Sequence, residues 1–309
     1  MLKSKTYYCL NKLFICTLLI VCINILFFSL QSNAQSPSEK GLPFITNYSP
    51  KTYKSFPQNW SIAEDDRGIM YFGNQNLILE YDGLRWNKIK ITNSVIRSMT
   101  QYKDGLIYYG GFGDLGYLDY DSLGQRKTNS LLDLVPEANR NFLDIWSAYS
   151  TESGIYFQAR EYLFRLNDTK PGTNEKRTIK VWTPKTKFMY SFYLDNNFYV
   201  HQQGLGLYKM VKDSLMLIPG SEFLGKERMQ VMLPYSSPEG GGREGADKQY
   251  LIGMFYSGLY LFNGTTFQPF ATKADPIIKS GSILYKGLLL KNGNYVLSTT
   301  GKCLVIIYA

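Results

Sequence analysis

Weaker copies of residues 59–89 recur to the end of the chain, and this repetition limits the fold more than any other feature of the sequence. Residues 60–63 alternate apolar and polar side chains, which is typical of a half-buried strand. A turn-forming run at residues 65–68 separates this strand from the next, and Asp82 with Gly83 gives a strong hairpin signal before the fourth strand. One such sheet cannot bury both of its faces, so the copies have to stack on one another.

The copies follow one another at the spacing of propeller blades. The residues just before the second strand of each copy are separated by 37, 49, 43, 52 and 44 residues. They are Gly68, Gly105, Gly154, Asn197, Gln249 and Gly293. One propeller blade takes about 40 to 50 residues, whereas a parallel β-helix needs shorter and stricter repeats. We therefore predict an all-β fold, a β-propeller of about six four-stranded blades. The repeats lie near residues 56–91, 94–131, 142–184, 188–220, 228–270 and 280–309.

The last blade is expected to be incomplete or to be closed by an N-terminal strand. The chain stops at Ala309, after the third strand of the sixth copy and before any fourth strand. Residues 35–55 are a linker or contain the closing strand, at residues 43–48. Alternatively, the sequence is the front part of a longer protein whose ring needs at least one more blade.

The first 34 residues have the pattern of an export signal. Three lysines lead into the apolar run at residues 13–30, and small residues follow at 32–34, so we expect cleavage after Ala34. The run is also just long enough to span a bilayer, so an uncleaved anchor remains the alternative. In either case the bulk of the chain is expected to be periplasmic or extracytoplasmic. Three of the four cysteines lie in this leader, which leaves Cys303 without an intrachain disulfide partner.

Composition favours a strand-rich fold and gives no sign of a nucleic-acid-binding surface. The 25 Tyr and 18 Phe residues, many beside Gly, are typical of strands and tight turns. The formal charge of +9 includes three leader lysines, and the remaining basic residues are dispersed apart from a short cluster at 175–180 in an expected loop. We therefore expect no nucleic acid partner for this segment.

No recognisable catalytic or metal-binding constellation is found in the sequence. His201 is the single histidine, so a site with several histidine ligands is excluded, and its strand-like surroundings favour a structural role. Asp65, Asp66 and residues 119–121 lack the ligand spacing of a calcium loop and are better explained as turn residues. The glycine-rich run at 111–116 joins two strands, with no helix to present its N-terminus to a phosphate. We expect no catalytic residue, no metal and no cofactor.

The first copy resembles the two-component regulator propeller repeat. The resemblance is carried by the turn at residues 64–68, the strand sequence IMYFGN at 69–74, and ILEYDG at 78–83 followed by Trp86. It covers most of residues 56–307 and is strongest in the first two copies. The leader, ending Asn-Ala-Gln at residues 33–35, is similar to leaders of Bacteroidetes, in which such repeats build the periplasmic sensor regions of large regulators.

This resemblance implies a sensor segment, often for carbohydrate, that lacks its output. Members usually continue into further blades, a triple-tyrosine immunoglobulin-like domain, a membrane helix and a kinase or DNA-binding output, none of which is present in this sequence. A homodimer would form through that missing downstream region. Membrane anchoring, if it occurs, would use residues 13–30.

Binding of an extracellular small ligand is the function that the sequence favours. A propeller gathers its loops on one face, where Tyr, Trp and Arg side chains can stack on sugar rings and hydrogen-bond hydroxyls. Core packing and blade contacts are the alternative roles of the six candidates, which were chosen for their positions near strand ends. The candidates are Trp60, Arg97, Trp146, Arg160, Tyr190 and Tyr256. A secreted propeller glycoside hydrolase or lyase and a protein-interaction scaffold remain the alternative functions.

Overall fold

The structure is a computed structural model that describes residues 45–167, 176–235, 248–279, 283–300 and 304–308, without the side chains of residues 92 and 93. The predicted leader and Cys303 lie outside the described residues. The chain divides into two compact units, Met1–Asn47 and Tyr48–Ala309. Of the first unit, only residues 45–47 are described, and they have no regular secondary structure.

The second unit is built from antiparallel sheets in which neighbours in sequence are neighbours in space. Sheet 1 contains β1 (Ser61–Glu64), β2 (Met70–Gly73), β3 (Gln75–Tyr81) and β4 (Trp86–Val95). Sheet 2 contains β5 (Ser98–Gln101), β6 (Ile107–Gly110), β7 (Leu115–Tyr120) and β8 (Arg126–Ser130). Sheet 3 contains β9 (Ser147–Thr151), β10 (Gly154–Gln158), β11 (Leu163–Asn167) and β12 (Ile179–Trp182).

Three more sheets follow in the same manner. Sheet 4 contains β13 (Phe188–Leu194), β14 (Asn197–Gln202), β15 (Gly206–Val211) and β16 (Ser214–Leu217). Sheet 5 contains β17 (Met229–Tyr235), β18 (Gln249–Met254), β19 (Leu259–Phe262) and β20 (Phe267–Pro269). Sheet 6 contains β21 (Leu284–Leu289), β22 (Tyr295–Thr299) and β23 (Leu304–Ile307). The helices are short: α1 (Pro50–Tyr53), α2 (Asp275–Ile278) and the 3-10 helices Leu132–Leu134, Glu137–Asn139 and Glu222–Lys226.

The first strands of consecutive sheets lie side by side, from β1 to β5 and onward to β21. Each sheet therefore meets the next along its first strand, which is the inner strand of a propeller blade. The predicted all-β fold of about six blades is confirmed, with a sixth sheet of three strands in the described part. Buried apolar side chains fill the spaces between successive sheets, and one such cluster contains Tyr71, Ile78, Ile96 and Met99.

The described part of the expected closing strand does not pair with the sixth sheet. Residues 45–49 contain no strand, and residues 43 and 44 lie outside the described residues. Tyr48 instead packs against β4 of the first sheet, with its ring centroid 5.4 Å from that of Trp86. Pro50 begins α1 directly afterwards, and a proline at this position favours a helix start over continuation of a strand.

Turn residues close the hairpins as the sequence predicts. The Asp65 carboxylate accepts hydrogen bonds from the backbone N–H groups of Arg67 at 3.0 Å and Ile69 at 3.1 Å. Gly68 in the same turn has φ of +78°, a left-handed conformation that glycine adopts without a steric penalty. Asp65 is therefore a turn residue, as expected from its spacing.

Glycines at the ends of β2 and β6 let neighbouring sheets approach closely. A Cβ atom at Gly110 would lie 2.2 Å from Cγ2 of Ile145, the residue that leads into sheet 3. A Cβ atom at Gly73 would lie 2.9 Å from Cγ2 of Ile96, which leads into sheet 2. The Tyr-Phe-Gly and Tyr-Tyr-Gly sequences of the first two copies therefore have a packing role.

We predict that Gly110→Ala lowers the free energy of unfolding by about 2 kcal/mol, because the added methyl group overpacks this contact. Urea unfolding followed by circular dichroism measures the change. Ile145→Ala removes the opposing Cγ2, so the double variant should be less destabilised than the sum of the two single variants. Additive effects would show that the two residues do not meet.

His201 has the structural role that its sequence context predicts. Its side chain is fully buried in β14, and Nε2 lies 2.9 Å from the Leu224 carbonyl oxygen in the 3-10 helix Glu222–Lys226. Nδ1 has no hydrogen-bond partner within the described residues. The neutral tautomer with hydrogen on Nε2 fits this arrangement, and burial lowers the pKa of His201 to about 4.

We predict that this histidine makes the fold less stable in mild acid. Between the unfolded pKa of about 6.5 and the folded pKa of about 4, the unfolded chain binds a proton that the folded chain does not. Stability should therefore be intact above pH 6.5 and fall as the pH drops, by about 2 kcal/mol between pH 7 and pH 5. His201→Gln can donate to Leu224 without titrating, so it should lose most of this pH dependence in the same urea measurement. An unchanged slope in that variant would contradict the assignment.

Candidate ligand-binding site

The residue directly before each inner strand lies at the same end of every sheet. The N–H groups of Trp60, Arg97 and Trp146 donate to the last carbonyl of the second strand in their sheets, at 2.8, 3.0 and 2.8 Å. In sheets 4 and 5 the carbonyls of Lys187 and Arg228 accept from the residue that follows the second strand, both at 2.9 Å. We call these residues, with Ile283 in sheet 6, the start positions. Because inner strands are neighbours, their start positions lie along one mouth.

Three of the predicted residues form a stack at this mouth. The guanidinium carbon of Arg97 lies 3.9 Å from the ring centroid of Trp60 and 5.1 Å from that of Trp146. Arg97 Nε also pairs with the Asp144 carboxylate at 2.6 Å, and both of these side chains are 16% exposed. Cation–π contact and the ion pair together fix the plane of the guanidinium.

Arg160 continues this stack toward sheet 4. It follows β10, and its guanidinium carbon lies 5.4 Å from the Trp146 ring centroid. Its Nε is buried and has no hydrogen-bond partner within the described residues, as is also true of Arg97 Nη1. The four residues Trp60, Arg97, Trp146 and Arg160, which we call the stacked row, thus come from three sheets.

Tyr190 lies beside the stacked row but inside a strand. It is the third residue of β13, two residues from the start of that strand. Burial raises the pKa of its phenol, while the charges of Arg228 and Arg160 act in the opposite direction. Its half-buried ring packs against the apolar cluster of sheets 4 and 5, so packing is at least part of its role.

A cleft of about 830 Å³ opens between sheets 3, 4 and 5 next to this mouth. We call it the cationic cleft. It contains two of the predicted residues, Arg160 and Tyr256. Its other lining residues are Lys187, Met189, Gln203, Gly204, Gly225, Lys226, Glu227, Arg228 and Phe255. Its volume lies in the range of small-molecule sites.

Glu227 holds the aromatic wall of the cleft in place. Its carboxylate accepts the backbone N–H of Tyr256 at 2.5 Å and that of Ser257 at 3.2 Å. The Tyr256 ring, 55% exposed, stands edge to face with Phe255 at a centroid distance of 4.6 Å. The guanidinium of Arg228 lies 5.4 Å from the Phe255 centroid on the same wall. A half-exposed aromatic ring on a fixed turn offers a ready stacking surface.

Positive charge dominates the cationic cleft. Four of its lining residues are cationic, namely Arg160, Lys187, Lys226 and Arg228, and Glu227 is the single carboxylate among the described lining residues. Of the salt bridges that the described residues form, none involves these four cations. The cleft can therefore hold a negatively charged ligand by several donors at once.

Sequence reasoning located part of this surface and missed another part. All six predicted residues lie in the stacked row, in the cationic cleft or beside both, although their ligand-binding role stays a prediction. Lys187 and Arg228 were missed. They occupy the same place in their repeats as Trp60, Arg97 and Trp146, directly before the inner strand, so alignment of that one position would have found them.

Across the described ranges, no three His, Cys, Asp or Glu side chains come together in a way that could hold a metal ion. None of the helices described there is long and apolar enough to cross a membrane. The apolar run at residues 13–30 lies outside the described residues.

Solved structures share this fold, although no protein-family model and no curated protein matches the sequence. The extracellular domain of a hybrid two-component system from B. thetaiotaomicron matches with a TM-score of 0.53 and 16% identity. The match covers 81% of this chain but 34% of that one, so this chain spans about a third of its length.

Two matches come from unrelated settings. A chain of the BBS1N complex with ARL6DN has a TM-score of 0.52 at 10% identity, over 80% of this chain and 76% of that one. A chain of the mitotic checkpoint complex has a TM-score of 0.51 at 7% identity, over 80% and 75%. At such identities the similarity shows the fold alone. The match to the extracellular domain of the hybrid two-component system confirms, at the level of fold, the predicted resemblance to the propeller of two-component regulators.

We predict that Arg97→Gln lowers the free energy of unfolding by about 2 kcal/mol, because it leaves the Asp144 carboxylate half-buried without its partner. Asp144→Asn in the same chain should restore part of the loss in a urea unfolding series. Lys279→Gln is the matched control, since it breaks an exposed pair with Asp275 and should change stability by less than about 0.5 kcal/mol. Equal effects at the two sites would contradict the role given to the stack.

Proposed function

We propose that this chain is an exported, ligand-binding sensor propeller, the N-terminal part of a signal-transduction regulator, and that its ligand is a glycan fragment. The observation that carries the proposal is the convergence of the stacked row and the cationic cleft at one mouth. Residues 1–34 would export it, and the binding face would lie in the periplasm or outside the cell.

The chemistry of the mouth suits a sugar. Aromatic faces such as that of Tyr256 can stack on the C–H face of a sugar ring, and arginine N–H groups can donate to its hydroxyls. Arg160 lines the cleft, so the exposed part of its guanidinium is open to such a hydrogen bond. Similarity of fold to an extracellular sensor domain supports the proposal, although it says nothing of the ligand.

The cleft favours binding over hydrolysis. Glycoside hydrolases use two carboxyl groups that flank the scissile bond, about 5 to 9.5 Å apart. The described lining residues supply one, Glu227, and both of its oxygens already accept backbone N–H groups of the Tyr256 turn. A secreted hydrolase or lyase and a scaffold role are therefore the weaker proposals.

We predict that calorimetric titration with a panel of oligosaccharides gives saturable binding with at least one member and no product by chromatography. Tyr256→Ala should weaken that binding about tenfold, because it removes the exposed stacking surface of the cleft. Tyr308→Ala, at a ring that is 75% exposed directly after β23, is the matched control and should leave affinity unchanged. Turnover of a saccharide would favour the enzyme, and failure of the whole panel would exclude a glycan sensor.

A further inference from the structure

The charge of the cationic cleft carries an inference about which glycans it takes. We infer that the ligand is an acidic oligosaccharide, one that bears carboxylate or sulfate groups. This inference rests on the proposed function, because it names the class of glycan that the same site would bind.

The four cleft cations are gathered by the fold from separate parts of the chain. Arg160 lies after β10, Lys187 precedes β13, and Lys226 with Arg228 precedes β17. They come from three sheets, so no single basic loop accounts for them. An anion bound in the cleft would therefore be attracted by charges from several sides of one site.

Elsewhere in the same unit, half-buried arginines have carboxylate partners. Arg97 pairs with Asp144 at 2.6 Å, and Arg126 pairs with Glu80 at 3.2 Å. Arg165 pairs with Asp213 at 2.5 Å. The cleft departs from this pattern, since Arg160 has a buried Nε with no acceptor in the described part of the chain. Arg160 also lines the cleft, so a carboxylate or sulfate of a ligand would pair with the part of its guanidinium that the cleft exposes.

Among the described residues, Glu227 forms no salt bridge with these cations. Its two oxygens lie 2.5 to 3.3 Å from the N–H groups of Tyr256 and Ser257, so its position is set by that turn. The carboxylate thereby presents the Tyr256 ring to the cleft and leaves the cationic groups to a ligand. This arrangement combines an aromatic platform and positive charge in one cleft.

A sugar fits this arrangement better than an inorganic anion does. A volume of about 830 Å³ suits a ligand of several rings, and sulfate or phosphate alone would leave the Tyr256 and Phe255 wall without contact. Stacking on that wall needs a ring with an apolar face, while the cations need acidic substituents on the same molecule. Acidic oligosaccharides have both.

The test compares each acidic glycan with a neutral form. Full chain, solubilised in detergent, is titrated calorimetrically with tetragalacturonate, with its methyl ester, with a chondroitin sulfate tetrasaccharide and its unsulfated form, and with sodium sulfate. We expect at least one acidic tetrasaccharide to bind about tenfold or more tightly than its neutral or less charged partner, and more weakly as salt rises. The methyl ester distinguishes carboxylate recognition, and the unsulfated chondroitin distinguishes sulfate recognition.

Variants locate the binding. Arg160→Gln and Lys226→Gln should each weaken binding of the acidic ligand about tenfold and binding of a neutral ligand by clearly less, because only the acidic ligand loses an ion pair. Lys226 is exposed, so its variant keeps the test valid if Arg160→Gln fails to fold. Lys127→Gln, at an exposed lysine on β8, removes one charge elsewhere and should have no effect.

The outcomes separate the two proposals. Neutral glycans that bind as tightly as acidic ones would overturn this inference and leave the sensor function standing. Binding of no saccharide would overturn both. The inference would also be overturned if a single-stranded DNA oligomer competed as well as the acidic glycan, because that would show general polyanion binding. It would be overturned as well if Arg160→Gln and Lys226→Gln left binding of the acidic glycan unchanged, because the ligand would then bind elsewhere.

Discussion

The close approach of neighbouring sheets at the ends of their second strands is the contact on which the rest of this structure depends. Gly73 and Gly110 lack the side chains that would keep Ile96 and Ile145 away, and Gly253 gives the same room to Leu284, where a Cβ atom would lie 2.4 Å from its Cδ2. Without these contacts each four-stranded sheet would leave an apolar face in water. Packing between repeats, more than strand pairing within them, therefore holds the fold together.

The same contact builds the candidate site. Ile96 and Ile145 immediately precede Arg97 and Trp146, so the packing that seats each isoleucine against a glycine also fixes the start position next to it. Side chains from successive repeats then meet at one mouth without any loop having to be long. The side chains at the start positions can change while the contact between glycine and isoleucine beside them stays the same. Ligand binding can therefore vary without a change of fold.

Much of the fold follows from the sequence, and the site follows only in part. Alternation in residues 60–63 and the hairpin signal at Asp82 and Gly83 are local patterns, so the strands of the first sheet lie where the sequence predicts them. One difference is that β4 continues to Val95, into the residues predicted to begin the second repeat. Trp60 and Arg97 could be selected as candidate binding residues because their place in a repeat is visible in the local sequence.

The cationic cleft could not be read from the sequence in this way. Its charges come from three repeats. The Glu227 carboxylate accepts hydrogen bonds from the Tyr256 turn, which lies next to it only in the folded chain. Lys187 and Arg228 could have been found by their repeat position, but nothing local shows that Arg160 and Lys226 line the same cleft. The packing of Tyr48 on Trp86 is likewise a contact between residues far apart in sequence, which no local pattern predicts.

The stacked row also gives the protein a built-in optical reporter. The protein has four tryptophans, and two of them, Trp60 and Trp146, lie against the Arg97 guanidinium. Trp146 also faces Arg160 at the edge of the cleft. Indole emission responds to charge held over the ring, and a ligand that draws Arg160 toward itself would alter that charge. Occupancy of the cleft in sheets 3 to 5 would thus be visible in light emitted from side chains of sheets 1 to 3, with no label attached.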